Sequence, residues 1–182
     1  MFATAVAVVL SSLLLRAQAN ALHKAPELAF TIPGQGERLL SQYRGKVVGL
    51  EFILTTCPHC QIASHLMTRL QSEYGSRGFQ ALDLAINGLD EGRSAKEADA
   101  LVQGFSSTYQ VGFPVGWVPR EQMMTFLQIK PTQRSVVPQL VLIDRKGVIH
   151  YQTPPEGDEN SMKESTIRQR IEELLSLHTT ER

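Results

Sequence analysis

The sequence predicts an α/β fold in which a central mixed β-sheet is flanked by helices and preceded by an N-terminal hairpin. Apolar runs of strand length alternate with segments whose apolar residues recur at helical spacing, a pattern typical of α/β sandwiches. A hairpin followed by a helix closes the chain. With 182 residues, 42% of them hydrophobic and 20% charged, the chain is long enough to build one domain with a substantial core.

The first half of the predicted domain contains a hairpin arm and a strand–helix–strand unit. Residues 28–32 form a short strand, and the Pro-Gly-Gln-Gly segment 33–36 is a turn. The nearly continuous apolar run 46–54 is typical of a central strand that is covered on both faces. Apolar residues then recur at helical spacing over 58–74, and residues 79–86 form a second buried strand.

The second half begins with a helix whose start is marked by Ser94 and Glu97, which have the spacing of a capping box. The elements that follow are the strand 113–118, the helix 119–127, the hairpin strands 139–143 and 148–151, and a last helix. Ser161 and Glu164 repeat the capping-box spacing and predict where that last helix begins.

The N-terminus resembles a targeting segment. Residues 2–15 are almost entirely apolar, and the Ala-Gln-Ala sequence at 17–19 fits the small-x-small pattern of a signal-peptidase site. The apolar run is about 14 residues long, shorter than the roughly 20 that span a bilayer. We therefore expect residues 1–19 to be a signal peptide, with an uncleaved anchor as the alternative, and 26–178 to be the folded domain. The protein is then exported to a periplasmic or other extracytoplasmic compartment.

Charge and cysteine content limit the classes of function. Eighteen basic and eighteen acidic residues give a formal charge of zero, so no nucleic-acid partner is predicted. The two cysteines form one Cys57-Pro58-His59-Cys60 unit, which excludes a framework of several disulfides. We predict no cofactor and no metal site. The other histidines show no ligand spacing; these are His23, His65, His150 and His178.

The Cys57–Cys60 unit stands between a predicted strand and a predicted helix start, which suits thiol–disulfide exchange. This spacing lets two sulfurs reach bonding distance. Pro58 fits the first helical position, and the free N–H groups of the helix N-terminus favour the thiolate of Cys57. Cys57 is then the nucleophile and Cys60 the resolving thiol. His59 lies between them, where its imidazole would further stabilise the thiolate and make the pair more oxidising; alternatively, it is an exposed helix residue with no electrostatic role.

Glu51 is the one carboxylate within the apolar run that leads to Cys57. Burial of a carboxylate is costly unless it is paired or protonated, so its pKa is expected to rise. A carboxyl with a raised pKa suits the role of proton acceptor for Cys60. Alternatively, strand alternation turns Glu51 to solvent and gives it no role in catalysis.

Val137 and Pro138 precede the strand 139–143 and are candidate substrate-binding residues. A minority of X-Pro bonds in folded proteins are cis. A cis bond here would bring the backbone of Val137 beside the sulfurs, where it could pair with an extended substrate peptide.

These features together resemble the thioredoxin superfamily, especially its TlpA/ResA-like branch. The segment Tyr-Arg-Gly-Lys-Val-Val at 43–48 resembles the turn and strand that precede CxxC in that branch. The resemblance aligns Glu51 with the buried acid of thioredoxin and Pro138 with its cis-proline, and covers about residues 28–177. The Cys-Pro-His-Cys motif and Val137 resemble DsbA-like oxidases, but the chain lacks their large helical insertion.

The resemblance implies a thioredoxin fold, a redox-active cysteine pair, protein thiols or disulfides as substrates, and a membrane electron donor or acceptor. It leaves open whether the protein reduces or oxidises them. A peroxiredoxin-like peroxidase fits less well because Leu50 and Leu54 occupy the Pro and Thr positions of its P-x-x-x-T-x-x-C motif. A copper or zinc carrier is a further alternative, although copper carriers of similar fold use CxxxC spacing. The last alternative is a vestigial module without activity.

Overall fold

A mixed sheet of eight strands forms the centre of the computed structural model, which describes residues 23–177. The predicted signal peptide lies outside the described residues. The strands are β1 (His23–Lys24), β2 (Ala29–Ile32), β3 (Gly36–Leu39), β4 (Val47–Ile53), β5 (Phe79–Ala85), β6 (Val115–Trp117), β7 (Gln139–Ile143) and β8 (Val148–Gln152). The α-helices are α1 (Pro58–Tyr74), α2 (Ala95–Thr108), α3 (Arg120–Phe126) and α4 (Glu164–Ser176).

The order of strands across the sheet is β1-β8-β7-β4-β5-β6-β2-β3. The pairs β4–β5 and β5–β6 are parallel, and the other pairs are antiparallel. The long connections between the parallel strands contain α1 and α2, as parallel pairing requires. The predicted fold class, a mixed sheet flanked by helices, is confirmed.

The predicted hairpin extension consists of β2 and β3, which pair antiparallel from Ala29–Leu39 to Ile32–Gly36. It joins the main sheet where Thr31 pairs with Trp117 of β6. Gly34 and Gly36 both have positive φ, which allows the chain to reverse within a short turn. The turn is shorter than predicted because Gly36 already belongs to β3.

The strand β4 lies at the centre of the sheet, and all seven of its residues are buried. Side chains alternate between the two faces of a strand. Leu50 and Phe52 pack in the apolar cluster that includes residues of α3, whereas Gly49 faces Met67 of α1. By this alternation Glu51 lies on the α1 side of the sheet. The alternative that Glu51 points to solvent is therefore wrong, and its side chain is fully buried.

One predicted helix start is wrong. The capping box of Ser94 and Glu97 forms at the start of α2, but Ser161 does not cap α4. Lys163 occupies the N-cap of α4, and no side chain caps this helix. The backbone N–H of Ser161 instead donates to the carboxylate of Asp158, and its hydroxyl donates to the Asp158 carbonyl. A local turn therefore competes with the capping box for the same serine.

The sheet begins earlier than the predicted domain boundary at residue 26. The two residues of β1, His23 and Lys24, pair with Ile149 and Val148 of β8. A strand of two residues is too short to show a hydrophobic period, so the sequence does not indicate it. Within residues 23–177, no helix has the length and apolar character needed to cross a membrane.

Candidate active site

The two cysteines lie where the central strand passes into α1. Cys57 is the N-cap residue of α1, with φ −86° and ψ 118°, and its carbonyl accepts the first helical hydrogen bond from Gln61 at 3.1 Å. Cys57 is partly exposed, whereas Cys60 is fully buried one turn into the helix. Both thiols are free. One sulfur can therefore meet a partner from solvent, while the other is shielded from it.

The two residues between the cysteines are both exposed on the first turn of α1. Pro58 is the first residue of α1, where its missing N–H removes no helical hydrogen bond. His59 is exposed on the first turn. Both positions agree with the strand-to-helix setting that the sequence indicates for the motif.

Cys60 has a thiol that is hard to ionise. Burial raises its pKa well above the ordinary value for cysteine, and the neighbouring Cys57 and Glu51 raise it further. A backbone hydrogen bond from Leu54 acts in the opposite direction and is outweighed. The Cys60 sulfur therefore keeps its proton until a nearby group accepts it.

Val137 and Pro138 lie directly beside the first cysteine. The Val137–Pro138 peptide bond is cis, and the Cys57 Sγ lies 3.9 Å from the Val137 carbonyl oxygen. Val137 also packs against the apolar cluster that contains Cys60. This loop and the start of α1 therefore form one surface around the exposed sulfur.

Glu51 has a second buried carboxyl beside it. Asp83 is the partner of Glu51 in the parallel pairing of β4 with β5, and both side chains are fully buried. Burial raises the pKa of Glu51 well above its usual range, and the adjacent Asp83 raises it further. Asp83 was not among the residues that the sequence singled out. The sequence does contain a feature that could have identified Asp83, because it is a lone acid within the apolar run 79–86.

A hydroxyl on α1 partners this second carboxyl. Ser64 Oγ donates to Asp83 Oδ2 at 2.5 Å, and Ser64 stands four residues after Cys60 on the same face of the helix. The α1 face above the sheet thus presents Cys60 and Ser64, and the sheet presents Glu51 and Asp83 below them.

Asn87 is another site residue that the sequence did not indicate. Its Nδ2 donates to Thr55 Oγ1 at 3.0 Å, and its Oδ1 accepts the Thr55 backbone N–H at 3.3 Å. Both side chains are buried, and Thr55 lies two residues before Cys57. Only the tertiary structure brings these two residues together, because they are 32 positions apart in sequence.

Within residues 23–177, no three or more His, Cys, Asp or Glu side chains cluster in a way that could hold a metal ion.

The fold and the cysteine pair at the helix start define a thioredoxin-like protein. A sequence model of the AhpC/TSA family matches residues 21–152, and the chain belongs to this family. The thiol-disulfide oxidoreductase ResA of Geobacillus kaustophilus is 26% identical over 125 residues. That match covers 69% of this chain and 64% of the length of ResA, so it spans less than two thirds of that relative.

Solved structures show the same architecture. A Chlorobium tepidum protein assigned as a thiol:disulfide interchange protein DsbE superposes with a TM-score of 0.66 and 25% identity, covering 85% of this chain and 96% of that one. A thiol:disulfide interchange protein of the thioredoxin family from Chlorobium tepidum TLS gives a TM-score of 0.64 at 19% identity, covering 85% and 97%. The second likeness concerns the fold alone.

Proposed function

We propose that this protein is a thiol–disulfide oxidoreductase that exchanges disulfides with protein substrates through Cys57 and Cys60. The observation that carries the proposal is the contrast between the two sulfurs. Cys57 is accessible at the N-cap of α1, and Cys60 is buried behind it. A nucleophile followed by a shielded resolving thiol is the arrangement that mixed-disulfide exchange needs.

In the reductive direction, the Cys57 thiolate attacks one sulfur of a substrate disulfide and forms a mixed disulfide. The second substrate sulfur leaves with the electron pair and takes a proton from water. Cys60 then loses its proton and attacks Cys57 Sγ, forming the Cys57–Cys60 bond and breaking the bond to the substrate. The protein pair is oxidised by two electrons and the substrate is reduced by two. The oxidative direction is the reverse sequence.

Glu51 is proposed as the proton acceptor for Cys60. Glu51 interacts with Cys60 electrostatically, since it contributes to the raised pKa of that thiol. A buried carboxyl with a raised pKa is a stronger base than an exposed one and is matched to proton transfer near neutral pH.

Val137 and Pro138 are proposed to hold the substrate. The Val137 carbonyl lies 3.9 Å from the attacking sulfur, so a peptide that pairs with this backbone would place its own cysteine at Cys57. Main-chain pairing recognises an extended segment with little dependence on its sequence.

The apolar segment 2–15 and the Ala-Gln-Ala sequence after it support export. A periplasmic or other extracytoplasmic protein of this kind needs a supply of electrons or a sink for them, and we propose that a membrane protein provides it. Disulfide chemistry persists in such compartments, whereas cytosolic thiols are kept reduced.

The two single-cysteine variants test the activity. Cys57→Ser is expected to abolish reduction of a protein disulfide such as that of insulin, because the accessible nucleophile is lost. Cys60→Ser is expected to accumulate mixed disulfides, because the attacking thiol remains and the resolving thiol does not. The chain has no other cysteine, so any trapped adduct reports on Cys57 alone. Wild-type turnover by Cys57→Ser would refute the assignment.

His59 is proposed to set the direction of electron flow. A reduction potential of about −120 mV for the Cys57–Cys60 pair would indicate an oxidase, and about −270 mV a reductase. If the imidazole stabilises the Cys57 thiolate, His59→Ala lowers the potential by about 30 mV or more, the equivalent of about 1.4 kcal/mol. Equilibration of both proteins with glutathione measures the shift. An unchanged potential would leave His59 as an ordinary exposed helix residue.

A further inference from the structure

Two carboxyls lie next to each other in the core without a cation. Glu51 and Asp83 are partners in the β4–β5 register and are fully buried, and no salt bridge of the described residues includes either. Two ionised carboxylates in such a site would repel each other strongly, because the low dielectric of the interior screens them poorly. The pair therefore holds at least one proton at neutral pH.

The hydrogen bonds around the two carboxyls indicate which of them holds the proton. Asp83 Oδ2 accepts the Ser64 hydroxyl at 2.5 Å, a length typical of a hydroxyl that donates to an ionised carboxylate. Neither oxygen of Glu51 nor Asp83 Oδ1 receives a donor from another described residue. A proton on Glu51 that is donated to Asp83 Oδ1 gives both Asp83 Oδ1 and one oxygen of Glu51 a hydrogen-bond partner. In the resting protein Asp83 is then the anion and Glu51 the acid.

We propose that Asp83 is a positioning residue that keeps one negative charge beside Glu51, so that the two carboxyls act as one proton-sharing pair for Cys60. The proposal rests on the redox function proposed above. As Cys60 loses its proton to Glu51, the proton already on Glu51 passes to Asp83. The negative charge moves from the carboxyl pair to the Cys60 sulfur and then to the departing substrate sulfur. The carboxyl pair is then neutral. No charge is created in the core at any step.

Glu51, Asp83 and Cys60 interact mainly with one another. Among residues 23–177, the titratable groups that face Glu51 are Asp83 from β5 and Cys60 from α1, and the register partner of Glu51 on β7 is the apolar Leu140. Asp83 receives its remaining hydrogen bond from Ser64. A lone Glu51 in this site would be protonated and uncharged, and an acid that already holds its proton cannot accept another. Asp83 allows Glu51 to accept the Cys60 proton, because Asp83 takes the proton that Glu51 already holds.

Reaction of the reduced protein with an aryl disulfide, dithiobis(nitrobenzoate), separates the two steps. Attack by Cys57 releases a first coloured thiolate, and resolution by Cys60 releases a second. The variants are Asp83→Asn, Glu51→Gln and Ser64→Ala, with Ser72→Ala as the matched control because Ser72 is exposed on the same helix. The rate of each release is measured from roughly pH 5 to 9 in every protein.

For the wild type we expect two steps in the pH profile of the second release, because coupled groups titrate as a pair. Asp83→Asn is expected to leave one step and to slow the second release by about tenfold near neutral pH, with the first release unchanged. A wild-type two-step profile in Asp83→Asn would overturn the proposal. Loss of the first release in the wild type would instead overturn the redox function itself.

If Asp83→Asn does not fold, Ser64→Ala tests the proposal instead. Without the hydroxyl, ionisation of Asp83 becomes less favourable, and the second-release profile is expected to move to higher pH. Ser72→Ala should retain the wild-type profile. A Ser64→Ala profile that coincides with that of Ser72→Ala would overturn the proposal.

Discussion

Asn87 lies just beyond the end of β5 and holds the loop that carries Cys57. Its side chain makes two hydrogen bonds to Thr55, one to the hydroxyl and one to the backbone N–H. Both groups of Thr55 are shielded from water, so removal of the amide leaves them without partners. Buried polar groups that lose their partners destabilise a fold more than the original bonds stabilised it.

Asn87→Ala is therefore expected to lower the free energy of unfolding by about 1–3 kcal/mol and to slow the attack by Cys57. Urea unfolding and the rate of the first thiolate release measure the two effects. Gln133→Ala, in an exposed loop, is the control and should match the wild type in both measurements. Equal stability of Asn87→Ala and Gln133→Ala would show that the Thr55 loop is held by other contacts.

The packing of α1 against the sheet sets the height of the cysteines above Glu51. Gly49, two residues before Glu51 on the same face of β4, allows the close approach. A Cβ at Gly49 would lie 2.6 Å from Met67 Cε and 2.8 Å from Phe79 Cζ. These distances are shorter than van der Waals contact, so a side chain here would have to displace α1 or rearrange the two neighbours.

Gly49→Ala is expected to lower the free energy of unfolding by about 1–3 kcal/mol through overpacking. The same change at Gly104, in α2, should raise it by about 0.5–1 kcal/mol, because open space surrounds that position and alanine favours a helix. Denaturant unfolding of the two variants tests whether the free energy of unfolding falls in Gly49→Ala and rises in Gly104→Ala. A neutral Gly49→Ala would mean that Met67 and Phe79 move without cost.

The stability of the whole molecule should depend on pH through its buried acids. Burial raises the pKa of Asp83 to about 7, and it raises the pKa of Glu51 well above the usual range. In the unfolded chain both groups ionise near pH 4. The unfolded state therefore loses its protons first. The contribution of Asp83 to stability is fully present below about pH 4 and is lost as pH rises through about 7, and the loss of the Glu51 contribution extends to higher pH.

Relative to the double variant Glu51→Gln and Asp83→Asn, the wild type is expected to lose about 1.4 kcal/mol or more between about pH 4 and pH 7, since one unit of pKa corresponds to that energy. Unfolding midpoints in urea across this range measure the difference. The control Glu159→Gln, at an exposed position, should follow the wild type. A constant difference between wild type and double variant would contradict the raised pKa values.

Much of this fold could be predicted from local patterns. The run 46–54 and the helical spacing of 58–74 gave β4 and α1 within about a residue. The Ser94–Glu97 capping box forms as predicted. The same spacing at Ser161 does not produce a capping box, because Ser161 is hydrogen-bonded to Asp158 in a local turn. Capping signals are short, and a nearby acceptor decides between competing uses of one hydroxyl.

The sequence by itself determined the mixed α/β architecture, the cysteine pair at a strand-to-helix junction, and the lone acid on the central strand. These features depend on the hydrophobic period and on residues that are close in the chain. Only the tertiary structure decided that Glu51 meets Asp83 and that Asn87 holds Thr55. The reason is physical: strand register and helix packing bring together residues that lie about 32 positions apart, and no local period encodes that distance.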